Sequence, residues 1–253
     1  MLWILLVACA SSPKVTAQAV SPEAAAVAKP SEASSAQPTK FTITSKDEVW
    51  TRTWKQKPTG AEIPVSLPVI TLPDPAAQAK ADKALSVKAL LDQTRAEIEE
   101  DGWVDRITWK ETFRGGGLVN LDIHVEGSGA YPDSWTKHVV MSMETGARVG
   151  ADTFAKKTSA ALISRLNDAL QAKVQAKVAE DPEVAELLSN VAFAKGGLDH
   201  FSVSRAGVVF HHTFALPHAL AAAAPGGDLL LPWAETGHYL SRSSPLARLA
   251  SGQ

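Results

Sequence analysis

The chain has 253 residues, 45% of them apolar and 21% charged, a composition that fits a globular protein and excludes collagen-like, disulfide-dense and wholly disordered classes. Its 25 basic and 27 acidic residues leave a net charge of −2, so sequence-independent binding to nucleic acid or to an anionic membrane surface has no electrostatic basis. The single cysteine, Cys9, excludes an internal disulfide, a Cys-based zinc site and a CxxC redox pair.

Met1 to Ala8 reads MLWILLVA, too short for the roughly 20 residues of a membrane-spanning helix. Leu6-Val7-Ala8-Cys9 resembles the lipobox of bacterial lipoprotein signal peptides. The resemblance implies that residues 1–8 are removed as a signal peptide and that Cys9 becomes an acylated N-terminus, which anchors the protein to a membrane. Two or three acyl chains, at about 0.8 kcal/mol per buried methylene, make such an anchor nearly permanent. No Lys or Arg precedes the apolar run, so the translation start is expected upstream. Ala10, rather than Asp, follows the cysteine, which by the same resemblance implies the outer membrane and a periplasm-facing domain in a cell with two membranes.

Between Ala10 and Lys40 lie 9 Ala, 6 Ser and 4 Pro, with no Leu, Ile, Met or aromatic residue. Such a stretch cannot bury enough apolar area to offset its ordering entropy. Pro13, Pro22, Pro30 and Pro38 interrupt any alanine-rich helix. Residues 9–40 therefore read as the acylated cysteine and a disordered tether, with a span on the order of 30 Å.

Ordered structure is expected from Phe41. Pro58, Pro64, Pro68 and Pro73 suit the segment 57–72 to an edge or irregular strand rather than a central one. Asp74-Pro75 is an N-cap followed by a first-turn proline. Ala84, Val87, Leu91 and Ile98 then continue one apolar helical stripe to Asp101-Gly102. Val104–Phe113 reads as a strand ending at Gly115-Gly116-Gly117. In the next strand Val119, Leu121, Ile123 and Val125 alternate with Asn120, Asp122, His124 and Glu126, one buried face against one wet face. A loop over 127–134 leads to a strand over 135–144, closed by Glu144-Thr145-Gly146. Ile163, Leu166, Leu170, Val174 and Val178 stripe a long helix, and Asp181-Pro182 starts a short one to about Asn190. Strands over 198–204, 208–214 and 228–232 follow, with a terminal helix around 233–240. Strands and helices segregate, so the class is α+β: antiparallel sheets with packed helices.

The order of these features resembles a known family. Leu118-Val-Asn-Leu-Asp-Ile-His124, Gly129-Ala-Tyr-Pro132, Met143-Glu-Thr-Gly146, Leu198-Asp-His-Phe201, Gly207-Val-Val-Phe210 and Leu229-Leu-Leu-Pro-Trp233 look like the paired ectodomain of unknown function of the DUF4163/DUF3298 type. It occurs in lysozyme-sensing anti-sigma factors and in the non-catalytic part of a peptidoglycan polysaccharide deacetylase. The resemblance implies one compact ectodomain built from an N-terminal segment, 41–150, and a C-terminal, DUF3298-like segment, 151–253. It also implies binding rather than chemistry, with peptidoglycan or an envelope protein such as lysozyme as the ligand.

Read for chemistry, the middle strands offer one constellation. An antiparallel register centred near Tyr131 sets Glu126 opposite Thr136 and His124 opposite His138, placing Asp122, His124, Glu126 and His138 on one face. That set would suit zinc in a metal-dependent envelope hydrolase, or it is simply a solvated strand face. His200, His211, His212 and His218 form a second cluster, of which only one of the adjacent pair can face His200. Gly-x-Ser-x-Gly is absent, the triple glycine lacks a following Lys-Ser/Thr, and Asp101, Asp105 and Glu111 are unremarkable as paired acids. No catalytic residue, cofactor or metal is therefore assigned. The loop 127–135, GSGAYPDSW, is the expected ligand-binding element, through Tyr131, Pro132 and Trp135, because aromatic anchors supply contact area with few rotors to freeze. Trp103, Trp109 and Trp233 read as core. A structural lipoprotein that partners another envelope protein is the remaining alternative.

Overall fold

The computed structural model describes residues 40–53, 60–129 and 131–252. Cys9, the signal peptide and the tether up to residue 39 lie outside the described residues.

Five strands, β1 (Thr42–Thr51), β2 (Glu62–Thr71), β3 (Val104–Gly115), β4 (Leu118–Ser128) and β5 (Pro132–Ser142), form one sheet in sequential order. A second sheet holds β6 (Phe201–Val203), β7 (Gly207–His211) and β8 (Asp228–Pro232), also in order. All pairings are antiparallel except β2 with β3, a parallel contact at Val65↔Ile107. The α+β class with packed helices holds.

The proline-rich strand is a correction: β2 lies inside the sheet, between β1 and β3. It pairs with β1 over ten residues and touches β3 at one position. Pro64 directly precedes that position and Pro68 follows three residues after it, and neither has an N–H to donate. The prolines therefore limit one side of the strand rather than exile it to an edge.

The single helix expected over 75–101 is three helices, α1 (Pro75–Ala84), α2 (Val87–Leu91) and α3 (Arg95–Asp101). Asp74 caps α1 through the amides of Ala76 and Ala77. Ser86 caps α2, and Asp92 ends it in the left-handed region at φ 57°. Thr94 and Glu97 then form a reciprocal capping box that starts α3.

One face of the sheet packs on these helices. Val119, Leu121, Ile123, Val125, Val139 and Met141 share a core with Ala77, Ala81, Leu90, Leu91 and Ile98. Trp50, unassigned by the sequence reading, is fully buried there. A second core packs Leu118 and Val140, from the opposite face, with Leu162, Leu166 and Leu170 of α4 (Ser159–Glu180) and the inward residues Phe201, Val208, Phe210, Leu229 and Leu231 of the small sheet. The short helix α5 (Ala185–Leu188) adds Leu188 to a satellite cluster with Val174 and Val184. The last helices, α6 (Trp233–Thr236) and α7 (Ala247–Ala250), are four residues each. The strands of the second sheet are shorter than expected because a 3-10 turn occupies Lys195–Asp199 and the chain leaves β7 after His211.

Candidate functional site

The central hairpin sets the site. β4 runs to Ser128 and β5 begins at Pro132, so the nine-residue loop expected over 127–135 is a short turn at the tip of a longer ladder. Gly127 permits this: a Cβ there would strike the Trp103 ring. The register moves by two residues relative to the expected one, pairing Asp122 with His138 and His124 with Thr136. Because a shift of two preserves the faces, Asp122, His124, Glu126 and His138 still share one side.

That side runs from buried to open. Asn120 is fully buried, the side chains of Asp122 and His138 retain 14% and 17% exposure, and those of His124 and Glu126 retain 40% and 45%. The second core covers the Leu118 end and leaves the other end to solvent. The boundary carries a continuous polar chain. Thr112, the extra residue of a β3 bulge between Glu111 and Phe113, accepts from Asn120 Nδ2 at 2.5 Å. Asn120 Nδ2 also donates to Asp122 Oδ1 (2.9 Å), and Asn120 Oδ1 accepts the Val203 amide of β6 (3.3 Å). Asp122 Oδ1 contacts His138 Nδ1 at 2.8 Å. Since an ionised carboxylate only accepts, that nitrogen carries the proton.

His138 then stacks on His211 of β7, ring centroids 3.6 Å apart and planes 13° from parallel. His211 Nδ1 lies 2.8 Å from Asp228 Oδ1, and its Nε2 lies 2.8 Å from Ser202 Oγ. Burial, with the neighbouring charge of His138, pushes the His211 imidazolium down, against the opposing pull of Asp228 and Asp122. A neutral ring with its proton on Nδ1 therefore accepts the Ser202 hydroxyl. Burial alone would raise the Asp122 carboxyl. The bond and charge of His138, with Asn120 and Lys110, outweigh it and hold the group below the ordinary carboxylate value.

Serine, histidine and aspartate are thus connected in the order of a nucleophilic triad, but the surroundings differ from one. Ser202 lies mid-strand rather than at a strand-to-helix elbow, and it lines neither cleft beside His211. The adjacent Val203 amide, which would serve an oxyanion, is held by Asn120. Asp228 is 73% exposed. These contacts fix the His211 tautomer and orientation.

Two clefts flank the histidine stack. One, of about 530 Å³, is lined by Trp109, Lys110, Asp122, His124, Thr136 and Asp228 besides the histidines. The other, of about 330 Å³, is lined by Leu90, Trp135, Lys137, Arg148 and His200. A further cavity of about 530 Å³ lies beside Glu144 and Arg248, which pair at 3.0 Å, and no aromatic side chain lines it.

The sequence-predicted residues divide accordingly. Trp135, 38% exposed, lines the smaller cleft with His138. Tyr131 is 65% exposed and Pro132 is exposed at the hairpin tip, and neither lines a cleft. Trp109 packs against the first core and also lines the larger cleft, a double role the sequence reading missed. Trp103 and Trp233 pack against the cores as expected. His211 and His200 share a cleft, whereas His212 turns to Phe193 and Phe214; the His218 side chain is outside the described residues. Asp105 pairs with Arg52 and Glu111 with Arg114, so these acids do not form a catalytic pair.

Among the described residues no group of three His, Cys, Asp or Glu side chains is placed to hold a metal ion. The two histidines of the expected set do not face each other: His124 lies opposite Thr136, its Nδ1 3.1 Å from that hydroxyl, and His138 Nδ1 is taken by Asp122.

No family model matches the chain, and no curated protein does. Solved structures do. A DUF3298-family protein of Bacteroides fragilis superposes at TM-score 0.55 with 13% identity, covering 85% of this chain and 99% of that one. A second, from Pseudomonas aeruginosa, gives 0.53 and 14%, covering 84% and 96%. The chain has the DUF3298-type fold. Both neighbours are described by the family alone, with no catalytic activity named. In this chain the histidine stack joins β5 of the first sheet to β7 of the second.

Proposed function

We propose that the protein is a non-catalytic binding module of the bacterial envelope, anchored at the outer membrane through acylated Cys9 and facing the periplasm, and that it takes peptidoglycan glycan in the clefts beside His138 and His211. The observation that carries this reading is the presence of one tryptophan in each cleft, Trp109 and Trp135, beside polar groups whose orientation is already fixed. Sugar recognition needs that pairing, an apolar platform for the ring face and preset hydrogen-bonding groups for the hydroxyls. An envelope protein such as lysozyme is the second reading, favoured by the exposure of Tyr131 at the hairpin tip.

Co-sedimentation of the full chain with insoluble peptidoglycan tests both. Pelleting that Trp135→Ala abolishes and Tyr131→Ala retains supports the cleft. Pelleting lost with Tyr131→Ala moves the ligand to the hairpin tip. A wild-type chain that stays in the supernatant ends the wall-binding reading and leaves a protein ligand, which binding to immobilised lysozyme then tests.

A further inference from the structure

We propose that the smaller cleft recognises a sugar bearing a carboxylate, the chemistry that the lactyl ether of a muramyl residue adds to N-acetylglucosamine. The inference rests on the wall-binding reading and adds a ligand chemistry and a location to it.

Charge is the first argument. Lys137 and Arg148 both line this cleft, together with His138, His200 and His211, and Asp92 is its one carboxylate. Asp92 is 92% exposed and stands 3.9 Å from Lys137 Nζ, at the limit of an ion pair. Arg148 forms no ion pair among the described residues. The lining therefore carries a cationic excess that the protein does not neutralise, although the whole chain has a net charge of −2. The half-buried Lys137 ammonium and the exposed Arg148 guanidinium repel each other, and an anion between them relieves that cost.

Position is the second argument. Lys137 is the less mobile of the pair, its side chain 20% exposed and its Nζ donating to the Ala89 carbonyl at 2.9 Å, so the ammonium is held in the wall of the cleft. Burial pushes this ammonium down, Asp92 pulls it back and Arg148 adds to the depression. Arg148 offers a planar fork that matches a carboxylate. Trp135 lines the same cavity, which gives the ring that carries the carboxylate an apolar face to rest on. At about 330 Å³ the cavity is at the small end of ligand sites. It takes one ring of a glycan, which is the level at which muramyl and glucosaminyl residues differ.

The test compares two soluble disaccharides by isothermal titration against the full chain: N-acetylglucosaminyl-N-acetylmuramic acid and N,N′-diacetylchitobiose, which differ only in the lactyl ether. The muramyl disaccharide is expected to bind at least about tenfold tighter, the low end for a hydrogen bond to a charged group. Arg148→Gln, an exposed position, is expected to erase the preference while leaving the thermal melt unchanged. Lys137→Met is the second variant, and its melt is expected to drop because the anchor on Ala89 goes with it. Equal affinity for the two sugars overturns the carboxylate inference and leaves wall binding standing. A preference that survives Arg148→Gln overturns the assignment to this cleft. If neither sugar binds while the chain still pellets with peptidoglycan, the inference falls alone, and if the chain does not pellet either, both readings fall.

Discussion

Asn120 is a polar side chain with no exposure, and its three hydrogen bonds tie a β3 bulge, the carboxylate of Asp122 and the backbone of β6 to one point. Replacing it by Leu keeps the branched shape but orphans the Val203 amide, which is expected to cost about 2 kcal/mol, read as a lower urea midpoint at unchanged slope. His211 sets a pH dependence. Its folded-state value lies below the ordinary 6.5, so as pH falls the unfolded chain takes up the proton first and stability is lost. His212 is depressed by burial in the same direction. The melting temperature is therefore expected to be level above pH 7 and to fall from about 6.5 downward. Asp122, depressed from 3.8, keeps its contribution through that window and loses it only in stronger acid. His211→Gln should flatten the slope between pH 7 and 5, and an unchanged slope would assign it elsewhere. At this scale the sequence made the shared face of Asp122, His124, Glu126 and His138 legible, because alternation fixes faces. It did not reveal which residues oppose each other, since the register depends on where the hairpin turns, and the ladder runs on to Ser128↔Pro132. The pairing of the strands on either side of Arg205-Ala206-Gly207 was legible and is present, but Ser202 and Asp228 were not legible as partners of His211, because their side-chain contacts depend on the register of β7 with both neighbours.

Elements show the same division. The apolar stripe of 75–101 was readable, and so were its breaks: Thr94-x-x-Glu97 is a capping-box pattern inside the supposed helix. A continuous stripe gave the longer reading, and the local caps decided the outcome. Thr94→Ala is expected to cost about 1 kcal/mol by guanidinium titration, with hydrogen exchange rising first in α3. The turn after β5 is more demanding. Gly146 sits at φ 67°, and a Cβ there would collide with the Ala77 carbonyl oxygen of α1. Gly146→Ala is expected to destabilise the protein by about 3 kcal/mol through strain and displacement of α1. A loss under 1 kcal/mol would mean that α1 moves freely on the sheet. The prolines of β2 point the same way: their chemistry was legible, but which neighbour they would face was not.

For the molecule as a whole, the two halves meet in one sheet rather than at a seam. β4 and β5 supply Val119, Leu121 and Ile123 to the first core and Leu118 and Val140 to the second. The two-segment organisation was implied by resemblance; the alternation of β4 indicated a wet face along its whole length and could not indicate that one end would be covered. Residues 41–150 expressed alone are expected to aggregate, and co-expression with 151–253 to restore solubility; a soluble, cooperatively melting N-terminal fragment would contradict the shared sheet. Leu166→Ala, at the centre of the second core, is expected to cost 2–5 kcal/mol and to lower a single transition rather than split it. The shared sheet also has a consequence for biosynthesis. A chain made from its N-terminus completes β1 to β5 before α4 and the small sheet exist, and in that interval Leu118, Asn120 and Val140 have no cover. Such an intermediate is adhesive, so refolding yield should fall with protein concentration, and a holdase that grips apolar strands would act on this face until α4 and the small sheet arrive.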